Sequence, residues 1–376
     1  MVESLAIVSP FYPPSVGGVE RFSRAFAREA AARGVRVNVV TTAAVRTPQT
    51  AVEDERINVL RLPAWYVPVA GSSFPIPRAG LGVLREYLDC DVVLAQTRFY
   101  PTTLLAAAVA SRRGRRICVL DHGSGPLRSG SAFAAASLTY ERAVTAALKL
   151  FRPEFFGVSA ASVAWLEHFG IRGAGEIPNG IAPRAGMPAR SAAPRAKTVV
   201  FFAGRLLPEK GVRELVAGVE LLTGAGRDIE LRIAGDGPLS AWLARHAAVH
   251  PFVVPLGRLE PEAVAAEMER ATLFVNPSNY AEGLPTILLE AGSAALGVVS
   301  TPRGGGGELV RDGETGWLVP RGEASSIAAA LEDAIARPQE AIRRGAALFA
   351  LVQSRYTWPA IVGSFLDRFD VRTRDG

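Results

Sequence analysis

Two cations stand where a strand-like run meets a helix start in the second half of this 376-residue chain. They are Arg205 and Lys210, within FAGRLLPEKGV at Phe202–Val212. A guanidinium forks the oxygens of a phosphate, an ammonium adds a point charge, and the amides of a helix start assist both. Only three of the 42 basic residues are lysine (Lys149, Lys197 and Lys210), so Lys210 stands out against a strong arginine bias. A solvated pair at a helix start is the plain alternative, and diphosphate binding is the stronger reading.

A second constellation is Asn276–Ala291, NPSNYAEGLPTILLEA. Pro285 is expected to pre-set the first turn of a helix whose N-terminus opens beyond a strand. Glu282 stands in the loop before it and Glu290 follows eight residues later. From Leu284 to Val299 Glu290 is the sole charged residue. A carboxylate in so apolar a run is costly unless a specific group hydrogen-bonds it. A ribose diol offers two adjacent donors, and Glu282 suits sugar hydroxyls. The plain alternative for Glu290 is an arginine partner at the edge of a core.

Weaker signals surround these two. Gly235–Pro238 (GDGP) reads as a tight turn, and Gly304–Gly307 with Glu308 and Asp312–Gly316 allows close backbone approach or plain turning. In the first half, Gly17–Gly18–Val19–Glu20 follows a strand and opens a helix, where amides meet a phosphate or the acceptor. Asp121–His122–Gly123 puts His122 directly after a strand, in a loop suited to a catalytic side chain. His168, His246 and His250 read as structural or solvated. Asp89–Cys90–Asp91 has the form of a metal-dependent transferase motif but precedes its strand, so no metal is implied. No G-x-G-x-x-G fingerprint of a dinucleotide dehydrogenase occurs.

The elements that must position these residues alternate strand and helix. Leu5–Ser9, Val35–Thr42, Asp91–Gln96, Arg116–Leu120 and Phe155–Ser159 read as strands, with Arg21–Arg33 an amphipathic helix ended by Gly34. Pro178–Lys197 carries four prolines without apolar periodicity and reads as a linker. A second series follows: strands at Thr198–Ala203, Ile229–Ala234, Phe252–Leu256, Leu273–Asn276, Val298–Ser300 and Trp317–Val319. Helices over Ser325–Ala336, Pro338–Arg355 and Trp358–Phe369 close it. The pattern predicts an α/β chain of two Rossmann-like, doubly wound domains. Residues 1–178 form the first, 179–197 the linker, 198–356 the second, and 357–376 a C-terminal helix.

Composition narrows the class. Hydrophobic content of 49% with 21% charge suits a folded, soluble, two-domain chain rather than a disordered one. The apolar start at Met1–Pro10 carries Glu3 and is too short for a signal peptide, and no apolar run reaches 18 residues. Cys90 and Cys118 beside strands read as buried thiols in a reducing compartment. Residues 1–180 hold 20 basic against 14 acidic residues and the remainder 22 against 22, so the net +6 belongs to the first half. Arg112, Arg113, Arg115 and Arg116 cluster there, followed by Arg128, Arg142, Lys149 and Arg152. That face either attracts an anionic membrane or is simply solvated. No nucleic-acid-binding signature accompanies it.

GGVE, GRLLPEKGV, GDGP, NPSNYAEGLPTILLEA and GGGGELVRDGETGWLVP occur in the order seen in family 4 retaining glycosyltransferases of the GT-B fold, and the chain resembles that family over nearly its whole length. The resemblance implies two Rossmann-like domains facing each other across a cleft, with the donor held mainly by the second. Arg205 and Lys210 would neutralise the leaving diphosphate. Glu290 would hold the ribose, and Glu282 with the backbone that runs from Gly283 through Leu284 and Pro285 to Thr286 the transferred sugar. Gly17, Gly18 and His122 would serve from the first domain, and the last helix would cross back to it.

A cytoplasmic, metal-independent hexosyltransferase is thus expected, free of cofactors, with peripheral contact at the inner face of the plasma membrane and a plainly solvated basic face as the two alternatives for its first half. UDP is the first choice of donor nucleotide and GDP the second, with a lipid-linked or glycan acceptor. Departures from the family pattern are Ile181–Ala182 after the IPNG run and Leu94 and Gln96 in DVVLAQ, where the family often has DVVHAH. A nucleotide-sugar epimerase and a non-catalytic sugar-nucleotide or glycan-binding protein are the rival readings.

Overall fold

The computed structural model describes residues 1–370 apart from 16, 70–71, 79, 126–131 and 193–196. Two compact units divide the chain, Met1–Asn179 with Trp358–Gly376, and Gly180–Thr357.

The first unit runs β1 (Ser4–Val8), α1 (Gly18–Ala32), β2 (Arg36–Ala43), β3 (Gln49–Asp54), β4 (Ile57–Val69), β5 (Ser72–Pro77), α2 (Leu81–Tyr87), β6 (Val92–Gln96), α3 (Pro101–Arg112), β7 (Arg116–Asp121), α4 (Ala132–Lys149), β8 (Glu154–Gly157), α5 (Ala160–Leu166) and β9 (Gly175–Glu176). Its sheet has the order β3-β4-β2-β1-β6-β7-β8-β9, with β5 paired to β4. Along β1, Leu5, Ala6 and Ile7 are all fully buried, so both faces of this strand are covered. That is the signature of a parallel sheet packed between helices.

β3, β4 and β5 depart from the sequence expectation: β4 pairs in parallel with β2, and β3 and β5 each pair antiparallel with β4. Pro63 and Pro68 lie inside β4, and Pro75 and Pro77 inside β5, so the strand signal is broken by residues that cannot donate to a ladder.

The second unit runs β10 (Thr198–Ala203), α6 (Val212–Gly224), β11 (Ile229–Ala234), α7 (Ser240–Ala247), β12 (Val253–Gly257), α8 (Pro261–Arg270), β13 (Leu273–Asn276), α9 (Thr286–Ser293), β14 (Gly297–Ser300), α10 (Gly306–Leu309), β15 (Trp317–Leu318), α11 (Ala324–Ala336) and α12 (Pro338–Arg355). Its sheet is parallel throughout, ordered β12-β11-β10-β13-β14-β15. From β10 the chain first moves outward through β11 and β12, then returns to β13 and moves the other way. β10 and β13 therefore flank a topological switch point, where loops leave in opposite directions and open a crevice at the strands' C-terminal ends.

The final helix α13 (Trp358–Phe369) belongs to the first unit. It lies along α1 through edge-to-face contacts of Trp358 with Phe22 and of Phe365 with Phe26, at 5.4 and 5.2 Å between ring centroids. Arg33 donates to the Pro359 carbonyl at 2.7 Å, and the N-terminal ammonium pairs with Asp370.

The proline-rich stretch read as a linker is tied down. Residues from Gly180 onward belong to the second unit, where Ile181 donates its amide to Tyr356 and Arg184 its amide to Gln353. Arg190 is the main anchor. Its guanidinium donates to the carbonyls of Met268, Glu269 and Ala271 at the end of α8, and of Ala294 at the end of α9. One side chain thus satisfies carbonyls that two helix ends would leave orphaned. Proline punctuation shows where regular structure stops, but not whether an arginine then fastens the chain.

The arginine cluster of the first half is largely spent on intramolecular pairs. Arg113 and Arg115 both meet Asp89, and Arg116 meets Glu154 while lying over the Phe369 ring. Arg128 lies outside the described residues.

Replacing Arg190 by alanine is expected to lower the stability of the second unit by about 2–3 kcal/mol, because buried carbonyls lose a charged donor. Arg190→Lys should recover part of that, since an ammonium cannot reproduce the fork. Urea unfolding of the full chain, followed through the fluorescence of Trp242 and Trp317, reads both; an unchanged midpoint for Arg190→Ala would show the anchor to be idle.

Candidate functional site

The loops that follow β10, β11, β13 and β14 all leave the same edge of the second unit's sheet, because its strands are parallel. Backbone hydrogen bonds knit them together. Leu206 donates to Asp236, Leu239 to Leu206, Asn279 to Glu209, and Gly305 to both Glu282 and Gly283. Thr301 adds a hydroxyl bond to the Ser278 carbonyl. The crevice residues are therefore held by a cross-braced floor rather than by independent loops.

On that floor Lys210 and Glu282 meet. Lys210 Nζ lies 2.6 Å from Glu282 Oε1, with side chains only 13% and 25% exposed. Lys210 also lies over the Tyr280 ring at 5.8 Å. Burial, then the neighbouring Glu282 carboxylate, pushes the Tyr280 phenol up from its ordinary value, while the Arg205 cation opposes that rise. Arg205, Lys210, Tyr280 and Glu282 thus form one charged group at the switch point. Tyr280 was not among the residues singled out from sequence; its position two residues before Glu282 was the available signal.

Glycines bring the backbones this close. Gly304 has φ +58°, and a Cβ there would overlap the Glu282 carbonyl oxygen. Gly211, at φ +71° just after Lys210, packs on the Pro277 carbonyl in the same way. The glycine run after β14 and the glycine of EKG are thereby explained as close-approach positions around the two charged residues.

Gly283, Leu284 and Pro285 are buried and lead into α9, with Thr286 exposed at its start. Pro285 sits one position earlier than the sequence suggested. It is the N-cap with ψ 109°, and the helix begins at Thr286. Glu290 is half-buried one turn further on, between Leu289 and Ala291, both fully buried.

The remaining candidates lie in the first unit, at the C-terminal ends of its own parallel strands. Gly17 is the N-cap of α1, and the Glu20 carboxylate folds back against it, where a Cβ on Gly17 would collide with that carboxylate. At Gly17 the start of α1 is therefore met by a carboxylate of its own chain. Gly18 is exposed, with open space where a Cβ would stand.

His122 follows β7. Its Nε2 lies 2.6 Å from Gln96 Oε1, at the end of the adjacent strand β6, and its ring meets Phe22 edge-on at 5.3 Å. Burial holds its pKa down at about 4. Below the loop lies a buried ionic triad that the sequence reading missed. Arg98 Nε is 2.9 Å from Asp121 and Nη2 is 2.7 Å from Glu141, and the guanidinium stacks 3.6 Å from the Phe169 ring centroid. Burial raises the Asp121 pKa against the pull of Arg98, with Glu141 adding to the rise, while the amides of His122 and Gly123 donate to its carboxylate. The triad therefore holds the backbone that carries His122.

Two side observations settle rejected or minor motifs. Asp91 accepts from the Glu3 and Ser4 amides and the Ser4 hydroxyl at the N-terminal end of β6, a structural clasp. Glu220, His246 and His250 cluster in the second unit, but the two imidazoles stack at 4.1 Å and 16°. Lone pairs lie in the ring planes, so near-parallel rings do not aim at one point.

A family model described as "Glycosyltransferase Family 4" matches residues 16–184, and one described as "Glycosyl transferases group 1" matches residues 197–337. A glycogen synthase of Mycobacterium tuberculosis is 31% identical over 165 residues, 43% of this chain and 40% of that protein. The match thus spans less than half of that relative's length. A GDP-mannose-dependent alpha-(1-6)-phosphatidylinositol monomannoside mannosyltransferase of Mycolicibacterium smegmatis is 27% identical over 373 residues, covering 91% of this chain and 92% of that one. Among solved structures, Anabaena Alr3699/HepE in complex with UDP matches with a TM-score of 0.75 at 18% identity, over 97% of this chain and 99% of that one. Such a likeness at low identity shows the fold, which is GT-B.

Gly304→Ala is expected to destabilise the chain by about 1–3 kcal/mol, because a side chain must adopt positive φ and push the Glu282 carbonyl aside. Thermal unfolding measures it. A midpoint equal to that of the parent chain would show that this loop has slack and that Glu282 is not held by close backbone packing.

Proposed function

This chain belongs to the group 1 glycosyltransferases of family 4, and on that premise we propose that it moves a hexose from a UDP- or GDP-linked donor to a lipid-linked or glycan acceptor, with retention of anomeric configuration and without a metal. The observation that carries this reading is the Lys210–Glu282 pair, with Arg205 beside it, at the switch point of a parallel sheet. A diphosphate needs cations, and a hexose needs a carboxylate that accepts its hydroxyls. Both are present, already in contact, where doubly wound folds take their ligands.

In this reading Arg205 and Lys210 receive the diphosphate and stabilise the charge that grows on it as the glycosidic bond breaks. Glu282, released from Lys210, accepts from the transferred sugar, and the amides of Gly283, Leu284 and Thr286 add donors. Glu290 takes the ribose diol. In the first unit, Gly18 allows close approach of substrate and His122 takes a substrate hydroxyl. The acceptor proposal draws on the phosphatidylinositol monomannoside named for the Mycolicibacterium relative. Trp65 and Val67, 60% and 42% exposed on β4, supply apolar surface suited to a lipid-linked molecule. Among the described residues no helix is long and apolar enough to cross a membrane. Reaching such an acceptor then means peripheral contact with an anionic surface.

Incubation with a panel of UDP- and GDP-hexoses should reveal one donor that is hydrolysed slowly alone and consumed faster with acceptor, in the presence of EDTA. Lys210→Ala and Glu290→Ala should each lower kcat/KM by about 100-fold or more at unchanged thermal midpoint. Parental rates in both would remove the site assignment, and an epimerised nucleotide sugar formed without acceptor would replace transfer by epimerisation. Glu282→Gln gives an independent check. With Lys210 freed from its anion, free nucleoside diphosphate should bind several-fold more tightly, while turnover of the nucleotide sugar falls. Weaker diphosphate binding by calorimetry would contradict the shared-cation arrangement.

A further inference from the structure

Gln96 is fully buried at the end of β6, yet it is a polar side chain whose amide nitrogen has no hydrogen-bond partner among the described residues. Its carbonyl oxygen meets His122 Nε2 at 2.6 Å. A buried amide left half unsatisfied costs free energy, and leucine or valine would fill this strand position without that cost. The neighbours Val93, Leu94 and Ala95 show that the strand otherwise takes apolar residues. What the amide contributes is one bond, to one ring nitrogen.

We infer that Gln96 is a positioning residue for His122: by accepting from Nε2 it fixes the Nε2-protonated tautomer and the ring's orientation, so that Nδ1 is presented as an acceptor to a substrate hydroxyl. This inference rests on the role given to His122 above. An imidazole has two neutral tautomers, and the partner of one nitrogen decides what the other can do. A ring free to exchange tautomers would offer a donor to the hydroxyl part of the time.

The surroundings leave that choice to Gln96. Phe22 covers the ring from α1, which also carries Glu20 and Arg21. Trp358, at the start of α13, packs on Phe22, with Asp367 and Arg368 on the same helix's last turns. Arg98 beyond β6, Asp121 on β7 and Glu141 on α4 are paired with one another. Burial, with no neighbouring charge contributing, keeps the imidazole neutral, with a pKa of about 4. A hydroxyl acceptor at Nδ1 is thus available throughout the neutral range.

The chain has only four histidines, so the ring nitrogens of His122 can be assigned by 15N NMR on the full-length protein against His122→Ala. Nε2 should be the protonated nitrogen in the parent chain, and Gln96→Leu should yield a tautomer mixture. Turnover adds a readout that packing alone would not move. In Gln96→Glu a carboxylate faces Nε2, which raises the His122 pKa. Protonation of Nδ1 then abolishes its acceptor role, so activity should fall on the acid side through a limb about 1–3 pH units higher than in the parent. The limb should vanish when His122→Ala is combined with Gln96→Glu. Gln96→Leu should lower kcat by about 10-fold or more, with no further loss in the His122→Ala background.

An Nδ1-protonated parent ring, a pH profile of Gln96→Glu matching the parent, or additive losses in the double variant would each overturn the inference. Should the parent chain turn over no nucleotide sugar, the functional reading fails, and the NMR tautomer still decides the role of Gln96.

Discussion

The contact between Lys210 and Glu282 organises the second unit's charged edge. An ammonium and a carboxylate 2.6 Å apart, both mostly withdrawn from water, attract far more strongly than a surface pair, but each also gives up hydration. Neither element alone would place them there. Lys210 stands after β10 and Glu282 after β13, and only the reversal of strand order at the switch point makes those two loops neighbours. The apolar β10, with Val200, Phe201 and Phe202 all but fully buried, fixes the first loop, while Gly211 and Gly304 let the backbones close around the pair. A ligand that brings its own anion and its own hydroxyls can replace this contact group by group. Binding then exchanges one ion pair for two sets of interactions without leaving a buried charge exposed.

The first unit solves a different problem by similar means. His122 needs a fixed direction rather than a charge; the triad of Arg98, Asp121 and Glu141 holds the backbone that carries it, and Gln96 meets the ring itself. Three ionised or ionisable groups under a loop are costly to bury. They are tolerable here because Arg98 pairs with both carboxylates and stacks on Phe169, and because the loop amides donate to the Asp121 carboxylate. A rigid imidazole follows, whose protonation is governed by burial.

Much of this was legible in the sequence. The bounds of β10, β11 and β13 and of the helices α12 and α13 follow directly from apolar runs and their punctuation; the two series of strands and helices gave the expectation of two doubly wound domains, and the resemblance of the motifs gave GT-B. Arg205, Lys210 and Glu282 stood out in the sequence as charges in the loops beyond strand ends, and Glu290 as the sole charge in an apolar run. The β3–β5 meander was hidden by the four prolines within it, which mimic loop composition. That the proline-rich stretch is fastened down was not legible, because Arg190, one arginine among many, gives no local sign that it will cap two helix ends over 70 residues away. The return of Glu20 onto its own helix start was not legible, because nothing in GGVE says which way that side chain turns. The pairing of Gln96 with His122 joins residues 26 positions apart on adjacent strands, a contact that only the strand order reveals.

The most direct test is a structure of the full chain with a bound nucleoside diphosphate hexose. The account predicts diphosphate oxygens within about 3 Å of the Arg205 guanidinium and Lys210 Nζ, the Glu282 carboxylate turned from Lys210 to a hexose hydroxyl, and the ribose diol on Glu290. A nucleotide bound with its diphosphate on other residues, and with the Lys210–Glu282 pair undisturbed, would contradict it.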